Sequence, residues 1–195
     1  MSESLAQLVG RVRACRLCEA DLPLGPRPVL RVAETARLLI IGQAPGTKVH
    51  ESGVPWNDRS GDRLRQWLDL DGETFYDESR VAILPTGLCY PGRDPKGGDR
   101  PPRPECAPLW HPQVRALLPD IQLILLVGRY AQAHVLGAEC KATVTETVAA
   151  WRSYLPGMLV LPHPSWRTNA WQDKTPWFET ELLPEARQLV RRILG

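Results

Sequence analysis

No run of apolar residues in this chain approaches the roughly 20 needed to cross a bilayer as a helix. The opening stretch, MSESLAQLVGRVRAC, lacks the apolar core of a secretory signal. Together these predict a cytoplasmic protein with no membrane partner. A large excess of charge is missing as well. The net charge is +2, too weak to demand a nucleic-acid partner, although it leaves room for a local basic face. Lysine is scarce and arginine carries most of the positive charge. Arginine's planar fork suits phosphate contacts, but a compositional bias of the source genome would give the same balance. No internal repeat and no linker-like stretch interrupts the 195 residues, so one domain over residues 1–195 is expected. Five cysteines in a chain expected to be cytoplasmic predict a metal site or buried thiols rather than disulfides.

The chain does carry an apolar content of 43%, enough for a core, and a charged content of 24%, which argues against disorder. Nineteen prolines are about twice the usual share. Seven of them fall between Pro91 and Pro112, and that stretch should be irregular, because proline has no amide donor and restricts its predecessor. Leu5, Leu8, Val9 and Val12 recur at helical spacing in residues 3–14. Four short apolar runs read as buried strands: Arg37–Ile41, Val81–Leu84, Ile121–Val127 and Met158–Leu161. Each stops at a glycine or proline. Ser60 is a candidate cap for a helix through Leu64, Trp67 and Leu68. Pro112–Leu118, Tyr130–Leu136 and residues 179–194 read as further helices.

Strands alternating with helices predict a three-layer α/β/α sandwich around a mainly parallel, four-stranded sheet. Ligands of such sheets bind beyond the carboxyl ends of the strands. The segments there are GQAPG, the LPTGLC region, the loop after Gly128, and HPSWR.

Two of these turns can carry chemistry. Gly42-Gln43-Ala44-Pro45-Gly46 permits tight backbone turns and close approach of a ligand, and its amides can face an anion or a carbonyl oxygen. A purely structural Gly/Pro turn has the same composition. His163-Pro164-Ser165 places an imidazole at a strand end, where it can donate to developing negative charge or serve as a structural histidine. The two turns stand about 120 residues apart, in this order, and that combination is far more specific than either.

The pair resembles the two signature motifs of the uracil-DNA glycosylase superfamily, most closely the bacterial and thermophile branch that carries an iron–sulfur cluster. The likeness runs from Cys15 to near the C-terminus. In that branch the first motif usually has Glu in second position; here it is Gln43. Gln is found there in the uracil-specific branch, whose motif continues with an Asp that Ala44 replaces here. The run after Gly46 has Gly53, Pro55 and Trp56 where the family has Gly-x-Pro-aromatic. The resemblance implies that Trp56 stacks on a flipped base, an interaction of roughly 1–3 kcal/mol; a core or lid role is the alternative. Asp58 resembles an Asp that a related branch has just beyond the aromatic. Glu51 and His50 sit where the iron–sulfur branch has acidic residues. Any of the three would orient water or support a sugar cation, and Asp58 is equally a neighbour of a helix cap. The family's base-reading Asn, four residues before the third cluster cysteine, is replaced by Pro85. Thr86 or the backbone of Gly87 is left to read the base, so uracil is the default and hypoxanthine or xanthine stay open.

Cys15 and Cys18 form C-x2-C, and Cys89 and Cys106 follow about 70 residues later as C-x16-C. This resembles the iron–sulfur branch and implies a [4Fe–4S] cluster on four thiolates, bracing the proline-rich loop near DNA. Zinc on Cys15, Cys18, Cys106 and His111 is the alternative metal, and no metal the third. Cys140 has no partner in the pattern.

The resemblance then implies a monomeric DNA glycosylase that flips a damaged nucleotide out of the duplex. Trp166 and Arg167, after Ser165, would enter the minor groove, while His163 and the amides around Gln43 and Ala44 stabilise the departing base. Three rivals remain. One is a superfamily member that binds uracil or abasic DNA with little excision, which Ala44 and Pro85 favour. Another is a nucleotide-handling enzyme using Gly42–Gly46 for phosphate; Thr47-Lys48 is in reversed order for that, and Gly53 and Pro55 are expected to delay the helix. The last is a covalent variant through His50, whose surroundings lack that variant's basic insert.

Overall fold

The structure is a computed structural model that describes residues 3–195. Its elements, in chain order, are α1 (Leu5–Arg13), β1 (Leu38–Ile41), α2 (Thr47–Ser52), α3 (Arg59–Leu68), α4 (Gly72–Tyr76), β2 (Val81–Ile83), α5 (Cys106–Ala116), β3 (Leu123–Val127), α6 (Arg129–Leu136), α7 (Val144–Ala149), β4 (Met158–Leu161), α8 (Asn169–Gln172) and α9 (Leu183–Leu194). The four strands form one sheet in the order β2-β1-β3-β4. All pairs are parallel: Leu38 lies beside Val81 on one side and Leu123 on the other, and Ile124 lies beside Met158. The three-layer α/β reading holds, with helices on both sides of the sheet. Nearly every strand residue is buried, as a parallel sheet covered on both faces requires. The outer edge of β2 is closed by a bridge from Arg31 to Ile83, which leaves it less open to pairing with another chain. Among the described residues, no helix is long and apolar enough to cross a membrane.

Several boundaries differ from expectation. Asp58, not Ser60, caps α3: its Oδ1 accepts from the Gly61 amide at 2.9 Å. Helix α5 starts six residues earlier than Pro112, at Cys106. Pro108 falls in its first turn, where no amide donor is needed, and burial of Trp110, His111 and Val114 offsets the bond lost at Pro112. A helix does follow Gly46 directly, contrary to expectation, but it is short and ends at Gly53, whose φ is 71. The C-terminal helix opens with a π-helical stretch, Phe178–Leu182. The apolar stripe Leu183, Ala186, Leu189, Val190 and Ile193 then faces inward. Arg187 ties α9 to the end of α3 by donating to the Trp67 carbonyl at 3.0 Å.

Candidate active site

The connections from β1 run first to β2 on one flank and then back across to β3 on the other. This is the switch point at which parallel sheets open a crevice beyond the strand ends. A cavity of about 600 Å³ lies there. Its wall is made of Gly42, Gln43, Ala44 and Gly46 after β1, Pro85 after β2, Trp56 and Asp58 ahead of α3, and His163, Ser165, Trp166 and Arg167 after β4. The proline-rich loop adds Arg93, Gly97, Gly98 and Asp99.

Trp56 is held in a conformation uncommon for a bulky side chain, with φ 58. Its carbonyl accepts from the Tyr76 hydroxyl at 3.1 Å. Gly61 of α3 passes so close that a Cβ there would stand 1.7 Å from that carbonyl. The indole lies against Gly42, where a Cβ would be 2.7 Å from its Cζ2, and beside His163, with ring centroids 5.8 Å apart. Backbone strain of this kind costs about 1–3 kcal/mol and persists where the surroundings over-determine it. Here they fix an aromatic face in the cavity wall.

His163 follows β4 directly. Its carbonyl accepts from Thr168 and from the Ser165 amide, which folds HPSWR into a tight turn. Gly128, with φ 83, lets the chain after β3 approach the His163 Cβ: a Cβ at Gly128 would stand 3.2 Å from it. No protein group among the described residues bonds the imidazole nitrogens, and the residue lines the cavity. Burial holds the imidazole below its ordinary pKa, and the charge of Asp58 only partly opposes this. At neutral pH the ring is therefore uncharged, with one N–H to donate.

The carboxylate of Asp58 reaches the cavity while one of its oxygens caps α3. Gln43 also lines the cavity, but its side-chain amide donates to the Arg100 carbonyl at 3.1 Å. It is thus a strut to the proline-rich loop. Trp166 is 76% exposed at the rim. Behind it Arg63 of α3 donates to the Ser165 carbonyl at 2.8 Å and also bonds Gln172, holding the turn that presents it. Arg167 leans across to the loop, where a Cβ at Gly98 would meet its guanidinium at 3.2 Å.

Three expected residues are not brought to the cavity. Glu51 is exposed near the end of α2, and its carbonyl accepts from Arg27. His50 packs near Tyr90, ring centroids 6.1 Å apart, with its Nδ1 buried and unpartnered. Thr86 is buried, and both its hydroxyl (2.7 Å) and its amide (2.9 Å) donate to the Gly42 carbonyl. The Gly87 amide donates to the Gln43 carbonyl at 2.8 Å. Both substitutes for the missing base-reading Asn are therefore engaged in tying β2's end to β1's. The Pro85 carbonyl faces His111, whose Nε2 lies 3.1 Å away.

Arg93, Gly97, Gly98 and Asp99 were not singled out from sequence. They sit in a proline- and glycine-rich run that reads as irregular. The structure folds it into a small hairpin, bridged from Arg93 to Asp99, with positive φ at Gly97 and Gly98. The Gly97-Gly98 pair is the one local signal for that turn.

On the far side of this loop, Cys15, Cys18, Cys89 and Cys106 line a second, smaller cavity with Leu22, Leu88 and Trp110. Burial pushes the Cys89 thiol up to about 11 and the Cys106 thiol up to about 12, and the neighbouring cysteines add to both shifts. The Leu88 amide donates to the Cys106 sulfur at 3.3 Å. No three His, Cys, Asp or Glu side chains among the described residues converge closely enough to share a single metal ion. His111 is not among the residues lining this cavity.

The family model of the uracil DNA glycosylase superfamily matches residues 31–187. Among solved structures, the chain is similar to an NMR structure from Methanosarcina acetivorans, provisionally assigned as a uracil DNA glycosylase. The two share 18% identity at a TM-score of 0.42, over 81% of this chain and 93% of that one. With both strand-end turns on one cavity and a match across most of its length, the chain belongs to the uracil DNA glycosylase superfamily.

Proposed function

We propose that the protein is a DNA glycosylase that hydrolyses the N-glycosidic bond of a flipped-out deaminated base and leaves an abasic site. One observation carries this reading: His163, its ring nitrogens bonded by no protein group among the described residues, shares a cavity with the Trp56 face and the Gly42–Ala44 turn. A base seated against Trp56 would present its carbonyl edge to His163. As the C1′–N bond breaks, charge gathers on the base, and the imidazole N–H stabilises it without a proton having to be transferred first. Loss of one such donor typically costs about 10²–10³ in rate. Trp166, held at the rim by the Arg63-braced turn, would fill the gap in the duplex, and Arg167 with the basic residues of the proline-rich loop would contact flanking phosphates.

Base choice should be broad. Thr86 and Gly87 have their donors engaged, and Pro85 offers no side-chain donor. Uracil stays the default, with hypoxanthine and xanthine as further substrates. The same facts favour a second reading, a protein that binds uracil or abasic DNA with little excision.

We propose that Cys15, Cys18, Cys89 and Cys106, which line one small cavity, would hold a [4Fe–4S] cluster. Four thiols line this one cavity, and the Cys106 sulfur accepts an amide hydrogen bond; four cysteines are the ligand set of such a cluster, and zinc on cysteines is the alternative metal. When bound it would supply a brace between the N-terminal segment and the proline-rich loop.

The test is to incubate the protein with single- and double-stranded oligonucleotides carrying uracil, hypoxanthine or xanthine, then to cleave abasic sites with alkali. Strand cleavage at any of these bases supports the glycosylase. Tight binding with no cleavage at any of them selects the second reading.

A further inference from the structure

The first motif lacks the acid that the superfamily places there: Gln43 and Ala44 stand in its place. We propose that Asp99, carried in by the proline-rich hairpin, is the carboxylate that holds the attacking water, and that Gln43 is the positioning residue that keeps it there. This rests on the glycosylase reading above.

Asp99 lines the cavity, and one of its carboxylate oxygens comes within 3.3 Å of the place a Cβ would occupy on Gly46. It therefore sits over the turn whose second residue is Gln43. The Gln43 amide reaches to the carbonyl of Arg100, the residue next to Asp99, at 3.1 Å. A glutamine can make that bond and a glutamate cannot, because an ionised carboxylate has no hydrogen to donate. The same substitution that removes the acid from the motif thus supplies the donor that anchors a loop carrying another acid. Two further ties hold the hairpin: the Arg100 amide donates to the Gly92 carbonyl at 2.8 Å, and the Asp94 amide to the Gly98 carbonyl at 2.9 Å. Among the described residues, no protein donor bonds the Asp99 carboxylate. The carboxylate lines the cavity at an exposed position, where it can take a hydrogen from water. Asp58, the other carboxylate here, has one oxygen committed to the cap of α3.

The charged groups around Asp99 are Arg93 on its own hairpin, Asp58 ahead of α3, and Arg167 after β4, which reaches Gly97 and Gly98. His163 is uncharged. Asp99 stands exposed at the cavity rim; partial desolvation of its carboxyl raises it above the ordinary carboxylate value, Arg93 opposes this, and the Asp58 charge adds to it. In the reaction the C1′–N bond breaks with its electron pair staying on the base. The water oxygen bonds C1′, and one of its protons passes to Asp99 and returns through solvent to the base anion. Water thus supplies a hydroxyl to the sugar and a hydrogen to the base.

The test uses the intact protein, a deaminated-base oligonucleotide and single-turnover kinetics at saturating enzyme. Asp99→Asn should lower the rate about 10²-fold or more, leave affinity for abasic duplex within about threefold, and abolish the fall in rate that the wild type shows as pH drops through a raised carboxyl pKa. Gln43→Glu should also slow excision. Combined with Asp99→Asn it should add nothing further, because both changes remove the same placed carboxylate. A wild-type rate and pH profile in Asp99→Asn overturns the proposal. So does Asp58→Asn abolishing the acid limb while Asp99→Asn keeps it, which would give the role to Asp58. A Gln43→Glu variant as fast as the wild type overturns the positioning role. If the wild type itself releases no base, the glycosylase reading and this proposal fall together, a pattern distinct from every other outcome.

Discussion

His163 is partly exposed in the cavity wall and His111 is buried; both imidazoles are held below their ordinary pKa by desolvation, yet their surroundings give them different work. His163 has its nitrogens free in the cavity. His163→Ala should lower excision by about 10²–10³ while binding to abasic duplex, which the proposed function assigns to Trp166, Arg167 and the loop, stays measurable by gel shift. Full activity in that variant would remove the imidazole from the chemistry. His111 instead bonds the Pro85 carbonyl and stacks edge-on against His134. Its pKa is pushed down to about 4 by burial. The folded state therefore binds fewer protons than the unfolded state between about pH 4 and the unfolded value of 6.5. Stability from this group is present in full above 6.5 and is lost as pH falls toward 4, by roughly 3 kcal/mol at most. Denaturant midpoints should fall across that window, and His111→Phe should flatten the slope between pH 6.5 and 5.

The α3 start is the element on which the site is built. Asp58 caps it and Gly61 receives the Trp56 carbonyl at close range. Arg63 braces the turn after β4. Gly61→Ala would place a methyl group against backbone rather than against a flexible side chain, so either the helix or the Trp56 turn must move. A loss of about 1–3 kcal/mol is expected, read as a drop of several degrees in melting temperature, with a larger proportional loss of excision because Trp56 and Asp58 shift together. Unchanged activity in a folded Gly61→Ala protein would show that the placement of Trp56 is not critical.

At the scale of the whole molecule, the carboxyl ends of the strands set one cavity, and the cysteine cavity joins the segment of Cys15 and Cys18 to that of Cys89 and Cys106. Cys15 and Cys18 lie ahead of the stretch matched by the family model, which starts at residue 31. Cys89 and Cys106 lie inside it. If a cluster joins them, protein purified without oxygen should be brown and hold about four irons per chain. Cys89→Ser should lose iron and colour and melt at a lower temperature. Cys140→Ser should keep all three, since Cys140 lies by Thr147 and lines no part of that cavity. Stoichiometric zinc in the wild type would overturn the cluster.

The four strands, the turns at their ends and the pairing of Gly42–Gly46 with His163 were legible in the sequence. Buried parallel strands are continuous apolar runs, and glycine or proline must end them, so composition along the chain suffices. The sequence also carried the four cysteines as a set. What it could not carry was the direction of side chains across distances that only folding closes. Glu51 and Thr86 belonged to the right segments, but one faces solvent and the other bonds Gly42. Gln43 looked like a weakened motif residue until its reach to the Arg100 carbonyl appeared. Asp99 had no local signal, because a carboxylate after two glycines in a proline-rich run reads as loop. Its meeting with Gly46 spans more than fifty positions of chain, and periodicity and turn chemistry act over only a few. Local rules fixed where the cavity would be; tertiary packing decided which carboxylates line it.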